Sequence, residues 1–144
     1  MESRILAVDY GEKRIGLALS DPMRIFAKPY ETIPNSGIEQ LILKLNEIIR
    51  EKQVGEVILG IPWGVEGNET PKTIETREIL TILQDRLSVP VSGIDERYTT
   101  SDANDLLKEM GYDWKKSRTV IDAMAACLIL KRYLERNTNG PTTT

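Results

Sequence analysis

The segment Ile5-Leu6-Ala7-Val8-Asp9-Tyr10-Gly11 is the most informative about the fold, because four consecutive apolar residues lead into a carboxylate and a turn. A short, continuous apolar run is typical of a strand that is buried on both faces of a sheet. Ile15, Leu17 and Leu19 then alternate with small residues, which predicts a second strand. Together the two segments predict a β-hairpin at the centre of the fold.

After the hairpin, the sequence predicts a third strand and then alternating helices and strands. Residues 25–33 predict a third strand, and Pro29 within it predicts an edge position. A capping box of Ser36 and Glu39 predicts the start of a helix whose apolar face continues to Ile49. Later strands are predicted at 57–61 and 89–94, and later helices after Thr70, before Gly111 and over 116–136. This order predicts an α/β fold, a mixed five-stranded sheet flanked by helices.

Length and composition indicate one globular domain. The chain has 144 residues, of which 40% are hydrophobic and 28% charged, so we expect a single domain over residues 1–136 and a disordered tail over 137–144. The single cysteine, Cys127, excludes an intramolecular disulfide. The apolar run at 5–8 is too short for a signal or a membrane span, so we expect a cytoplasmic protein without a membrane partner.

The charge and the missing residue types narrow the function classes. A net charge of -3 argues against non-specific coating of nucleic acid, which needs a basic surface. The chain has no histidine, which excludes Ser-His-Asp and Cys-His sites. Neither a GxxxxGK[ST] nor a GxGxxG motif is present, so P-loop hydrolysis and dinucleotide binding are disfavoured. If the protein is a hydrolase, a metal ion is the expected activator of water.

Two acidic residues follow predicted strands. A carboxylate at Asp9 is costly to desolvate unless a positive group meets it, which indicates a functional site. The alternative is a turn aspartate, with Gly11 supplying a positive φ. Glu96 follows the fifth predicted strand and reaches the same edge of the sheet. Its alternative is a solvated strand end paired with Arg97 or Lys13.

A third acid, Asp122, lies in the first half of the apolar final helix. Ala125 and Ala126 follow it, and such small residues let a helix approach a sheet closely. The alternative is an exposed ion pair with Arg118 one helical turn earlier.

The three carboxylates lie on separate elements that a mixed sheet can bring together. Oxygen-rich clusters suit Mg²⁺ or Mn²⁺, and two such ions polarise a phosphate and activate water. Basic side chains near these acids are candidates for binding a nucleic-acid backbone, namely Lys13, Arg14, Arg97, Lys115, Lys116 and Arg118. Tyr10 and Trp63 are candidates for stacking on an unpaired base.

Four motifs in this order resemble the YqgF, or RuvX, family over almost the whole chain. They are the segments 7–21 (AVDYGEKRIGLALSD), 57–62 (VILGIP), 95–100 (DERYTT) and 120–126 (VIDAMAA). The resemblance implies an RNase H-like fold with Asp9, Glu96 and Asp122 as the acidic triad. It also implies a metal-dependent nuclease, with processing of the 5′ end of pre-16S rRNA as the favoured activity.

Two alternatives stay open at this point. One is a resolvase of four-way DNA junctions, which needs paired active sites, whereas a monomer or weak homodimer is the expected state. The other is a nucleic-acid-binding module without catalysis. It is suggested by the acidic pI and by Arg118-Thr119, which replaces part of a more basic stretch found in relatives.

Overall fold

A computed structural model describes residues 3–96 and 118–139. Its elements are β1 (Arg4–Tyr10), β2 (Arg14–Ser20), β3 (Ala27–Pro34), α1 (Ile38–Glu51), β4 (Val54–Ile61), α2 (Pro71–Arg86), β5 (Val91–Asp95) and α3 (Arg118–Asn139). The helix predicted to end before Gly111 lies outside the described residues, as do Arg97, Lys115 and Lys116. The side chain of Arg118 also lies outside them.

The five strands form one mixed sheet in the order β3-β2-β1-β4-β5. The β1–β2 and β2–β3 pairs are antiparallel, whereas β4 pairs in parallel with both β1 and β5. The predicted hairpin and mixed five-stranded sheet are therefore confirmed. The edge position of β3 is confirmed as well, which suits Pro29 because a proline has no N–H to donate to a further strand.

The alternating side chains of β1 divide the interior into two cores. Leu6 and Val8 pack on the side that is covered by α1 and α2. Ile5 and Ala7 point to the other face, where they pack against apolar residues of α3. All four side chains are fully buried, as expected of a central strand that is covered on both faces.

Helix α1 does not begin with the predicted capping box. Gly37, with φ of 101°, occupies the N-cap position, and no side chain caps the helix. The Gly37 N–H donates to Asn35 Oδ1 instead, so Asn35 forms the turn that leads into the helix and the assignment of Ser36 as the cap was wrong. Helix α2 is capped by Thr70 as predicted, through a reciprocal pair of hydrogen bonds with Thr73.

Helix α3 continues to Asn139, three residues beyond the predicted end at Arg136. The rest of the predicted tail, 140–144, lies outside the described residues. None of the helices in the described ranges is both long enough and apolar enough to cross a membrane.

Candidate active site

Asp9 lies within β1 and not in a turn. The strand continues to Tyr10, and Asp9 pairs with Gly16 of β2. Its side chain shares the face of Ile5 and Ala7, the face that α3 covers. Gly11 is not among the described glycines with positive φ, so the interpretation of Asp9 as a turn aspartate was wrong. Asp9 is a half-buried carboxyl group directed at the last helix.

Glu96 follows β5 and is held at the end of the adjacent strand. Its backbone N–H donates to the carbonyl oxygen of Ile61 at 3.1 Å, which fixes it beside the carboxyl end of β4. The side chain is only 8% exposed, so the alternative of a solvated strand end was wrong. Its carboxyl group hydrogen-bonds to Asp9, where the alternative expected Lys13 or Arg97.

The Asp9–Glu96 contact joins two acids that cannot both carry a charge cheaply. Burial raises the pKa of Glu96 most strongly, and the neighbouring charge and hydrogen bond of Asp9 raise it further. Burial also raises the pKa of Asp9, while the hydrogen bond from Glu96 works in the opposite direction. We infer that the pair holds one proton near neutral pH, with the Glu96 carboxyl group donating to the Asp9 carboxylate.

Asp122 is paired with a residue of the central hairpin. Arg14 Nε donates to Asp122 Oδ2 at 2.7 Å, and the two residues lie 108 positions apart in the sequence. The side chains are 42% and 26% exposed, so this is a surface ion pair at the rim of the site. The sequence predicted that Arg14 binds phosphate. In the structure its guanidinium contacts the carboxylate of Asp122, one of the three acids. The charge of Asp122 also raises the pKa of Asp9.

Two glycines leave the space in which the acids approach one another. A Cβ atom at Gly16, the cross-strand partner of Asp9, would overlap the backbone carbonyl of Asp122. A Cβ atom at Gly60 of β4 would lie 2.5 Å from Glu96 Oε2. The first glycine therefore lets α3 lie directly on the hairpin, and the second makes room for the Glu96 carboxyl group. The close approach predicted from the small residues of α3 is confirmed.

Lys72 is a site residue that the sequence analysis missed. It lies in the first turn of α2, and its charge lowers the pKa of both Asp9 and Glu96. The next residue, Thr73, donates through Oγ1 to the carbonyl oxygen of Pro62 at 2.6 Å, which anchors this turn to the end of β4. A sequence signal did exist, since Thr70-Pro71 places the start of this helix just after the loop that follows β4.

The three acids are divided between two contacts. Asp9 contacts Glu96, whereas Asp122 contacts Arg14. Within residues 3–96 and 118–139, no three His, Cys, Asp or Glu side chains are close enough together to hold one ion. The chemistry of the donors nevertheless fits a divalent cation, because two adjacent carboxyl groups offer only hard oxygen ligands. A cation there would replace the shared proton and offset the burial that raises both pKa values.

Three other residues that the sequence predicted to contact nucleic acid lie in the described part of the chain, namely Lys13, Trp63 and Tyr10. Lys13 is exposed in the turn between β1 and β2, one residue from Arg14. Trp63 is packed against the core on the side of α1 and α2, and the guanidinium of Arg77 lies 5.6 Å from its ring centre. Tyr10 packs against the same core. Packing accounts for both aromatic side chains, and their predicted role in stacking on a base stays a prediction.

The sequence is similar to one protein family along nearly its whole length. Residues 3–136 match a family model described as "RuvX: Holliday junction resolvase". A protein of Maridesulfovibrio salexigens is 36% identical over 133 residues, with 92% of this chain and 98% of the relative covered. A protein of Streptomyces avermitilis is 40% identical over 133 residues, with 92% and 85% covered. Both relatives carry the name "Putative pre-16S rRNA nuclease".

The fold is similar to that of solved junction resolvases. RuvC of T. thermophilus, in complex with a Holliday junction, aligns with a TM-score of 0.58 at 13% identity, covering 95% of this chain and 96% of that chain. The fowlpox virus resolvase with Holliday junction DNA aligns with a TM-score of 0.56 at 15% identity, covering 93% and 98%. At these identities the likeness concerns the fold, and it confirms the RNase H-like architecture.

Proposed function

The chain belongs to the RuvX family, and from this membership we propose a metal-dependent nuclease in which Asp9, Glu96 and Asp122 are the catalytic carboxylates and metal ligands. The observation that carries the assignment is the hydrogen-bonded pair of half-buried Asp9 and buried Glu96, at the ends of β1 and β5 on the face that α3 covers. The names of the curated relatives support pre-16S rRNA as the substrate. Cleavage at its 5′ side and action in the cytoplasm are part of the same proposal.

The cofactor that suits these ligands is Mg²⁺ or Mn²⁺, and we propose two ions. Such ions lower the pKa of bound water and stabilise the charge that develops on the phosphate. Asp9 and Glu96 would share one ion, because their carboxyl groups already contact each other. Asp122 would become the third metal ligand once its carboxylate releases Arg14 and binds a metal ion instead.

The basic side chains around the acids orient the substrate in this proposal. Arg14, released from Asp122, and its neighbour Lys13 would bind phosphate oxygens beside the scissile bond. Lys72 stabilises the ionised forms of Asp9 and Glu96, and so favours the protonation state that ligates metal. The apolar core between the sheet and α3 excludes water from one side of Asp9. Electrostatic interactions of the carboxylates are therefore stronger than they would be in bulk water.

Cleavage of an RNA that carries the 5′ extension of pre-16S rRNA tests the proposal. We expect the wild type to cut it with Mg²⁺ or Mn²⁺, and Asp9→Asn, Glu96→Gln and Asp122→Asn each to lose at least a hundredfold in rate. Asp85→Asn, an exposed acid on α2, is the matched control and should retain full activity. Equal rates for Asp9→Asn and Asp85→Asn, or no wild-type cleavage with any divalent ion, would refute the nuclease assignment.

A second candidate substrate is the four-way DNA junction, which the description of the matching family model favours. Symmetric resolution of a junction needs two active sites, so this activity requires a dimer. The same variants on a synthetic junction, together with sedimentation of the protein alone, separate the two substrates. A monomer that cuts RNA and leaves junctions intact would exclude the resolvase. RNA binding without cleavage would indicate a non-catalytic module.

A further inference from the structure

A cavity lies at the opposite end of the hairpin from Asp9. It has a volume of about 330 Å³ and is bounded by β3, the turn over residues 21–26 and the end of α1. Arg4 at the start of β1 and Ser20 at the end of β2 line it. With a rise of about 3.3 Å per residue, Arg4 in the lining is roughly 16 Å along β1 from Asp9. The cavity is therefore separate from the acidic pair.

Positive charge converges on this cavity although the whole chain is acidic. Arg4, Lys28 and Lys52 line it, and within the described residues none of the three forms an ion pair. The one acid in the lining is Asp21. Its carboxylate already accepts hydrogen bonds from three backbone N–H groups of its own turn, those of residues 23, 25 and 26. Arg4 Nη1 donates to the carbonyl oxygen of Lys52 at 3.2 Å, which holds the guanidinium beside the end of α1. The positive charges of the three side chains are therefore not neutralised by an acid and can attract an anionic ligand.

An aromatic surface adjoins these cations. Phe26 lines the cavity and is 64% exposed, an unusual position for the only phenylalanine in the chain. Tyr30 lines it as well, and the Lys52 Nζ atom lies 5.8 Å from the centre of its ring. Cations beside accessible aromatic rings are the combination by which proteins hold single-stranded nucleic acids, with phosphate on the cations and bases on the rings. The volume lies within the range of small-ligand sites.

We propose that this cavity binds one nucleotide unit, with its phosphate on Arg4, Lys28 and Lys52 and its base against Phe26. The unit has two possible sources that share this chemistry. It is either a free nucleotide or an unpaired nucleotide in a longer RNA strand. The second source rests on the proposed nuclease function, and it gives the enzyme a contact with its substrate well away from the cut.

Equilibrium binding in EDTA, where the proposed nuclease does not turn over, tests the cavity without the cleavage reaction. The ligands are AMP, inorganic phosphate, adenosine and a fluorescent single-stranded RNA decamer, each titrated against the full chain. The variants are Lys28→Ala/Lys52→Ala and Phe26→Ala. Arg50→Ala, an exposed cation on α1 that does not line the cavity, controls for charge. Ile25→Ala, an exposed apolar residue outside the lining, controls for Phe26.

We expect both test variants to weaken AMP or RNA binding at least tenfold and both controls to change it less than twofold. The double variant should also reduce the salt dependence of RNA binding, because fewer phosphates are neutralised. If AMP binds and does not displace RNA, the ligand of the cavity is the free nucleotide. If AMP displaces RNA, the cavity binds a nucleotide of the RNA strand. Equal binding by test and control variants, or no binding of either ligand, would overturn the proposal. Loss of cleavage in Asp9→Asn bears only on the nuclease assignment.

Discussion

Arg14 Nε lies 2.7 Å from Asp122 Oδ2, so the central hairpin and the last helix are tied together at the rim of the acidic site. We predict that Arg14→Gln tightens Mn²⁺ binding severalfold, because the cation no longer competes with the guanidinium for the Asp122 carboxylate. The same variant should weaken RNA binding, because it removes a phosphate ligand. Isothermal titration with Mn²⁺ and anisotropy with labelled RNA measure the two effects.

In Arg14→Gln the Mn²⁺ affinity should rise while the RNA affinity falls. A general loss of structure would lower both affinities, so the opposite directions identify an exchange of Arg14 for the metal ion on Asp122. Lys13→Gln, at the neighbouring exposed position, should weaken RNA binding and leave Mn²⁺ affinity unchanged. The stability cost of Arg14→Gln should stay below about 1 kcal/mol, because the ion pair is partly exposed. A parallel fall of both affinities would contradict the exchange.

We predict that Glu96 makes the free energy of unfolding of the metal-free protein fall as pH rises. Its raised pKa means that the folded protein keeps a proton that the unfolded chain has already released. The free energy of unfolding should therefore be highest below the ordinary glutamate pKa of 4.5 and decline as pH rises towards the folded-state pKa. Glu96→Gln, whose amide still donates to Asp9, should be more stable than wild type by about 1–2 kcal/mol at pH 8, since one pKa unit corresponds to about 1.4 kcal/mol.

Urea unfolding in EDTA between pH 5 and pH 9 measures this slope. Glu75→Gln, an exposed carboxylate on α2, serves as the control and should follow the wild-type curve. Adding Mn²⁺ should restore the stability of the wild type at pH 8 and have little effect on Glu96→Gln. Parallel curves for wild type and Glu96→Gln would show that the pair does not hold the proton.

Alanine substitutions at Gly16 and Gly93 compare a clash with backbone atoms to a clash with flexible side chains. We predict that Gly16→Ala lowers the free energy of unfolding by about 2–3 kcal/mol, because its Cβ atom would overlap the backbone of α3. At Gly93 of β5 the nearest atoms, 3.0 Å away, belong to the flexible side chains of Ile61 and Leu80, so Gly93→Ala should cost less. Thermal and urea unfolding compare the two. Equal losses would contradict direct contact between α3 and the hairpin.

Lys72 should set the pH at which the site takes up metal. A cation near Asp9 and Glu96 favours their ionised forms, and metal binds those forms. Lys72→Ala should therefore move the midpoint of Mn²⁺ binding to higher pH, by about half a unit or more. Lys131→Ala, an exposed lysine on α3, should leave it unchanged. Titrations with Mn²⁺ from pH 6 to pH 9 provide the measurement, and an unchanged midpoint in Lys72→Ala would exclude this role.

The fold was largely predictable because it follows local patterns. The apolar run before Asp9 and the alternation over Ile15, Leu17 and Leu19 identify the central hairpin without any long-range information. Helix starts were less secure, because several polar residues in succession can cap. Ser36 fits the capping pattern, yet the chain turns through Asn35 and Gly37, whose positive φ the pattern does not encode.

The sequence singles out the candidate acids, but it does not give their contacts. The sequence identifies Asp9 and Asp122 as anomalous acids, but only the sheet order and the packing of α3 decide which partner each one meets. Arg14 illustrates the limit, because one guanidinium fits phosphate and carboxylate equally well. Lys72 was missed because a lysine in the first turn of a helix is ordinary until the end of β4 is known to lie beside it.

The span of 108 residues between Arg14 and Asp122 also has a consequence for synthesis of the protein. A ribosome that adds roughly 5–20 residues per second completes β1 and β2 several seconds before it reaches the last helix. During that interval the growing polypeptide contains Asp9 and lacks Asp122. The nascent chain therefore lacks one of the three proposed catalytic acids until the last helix is synthesised.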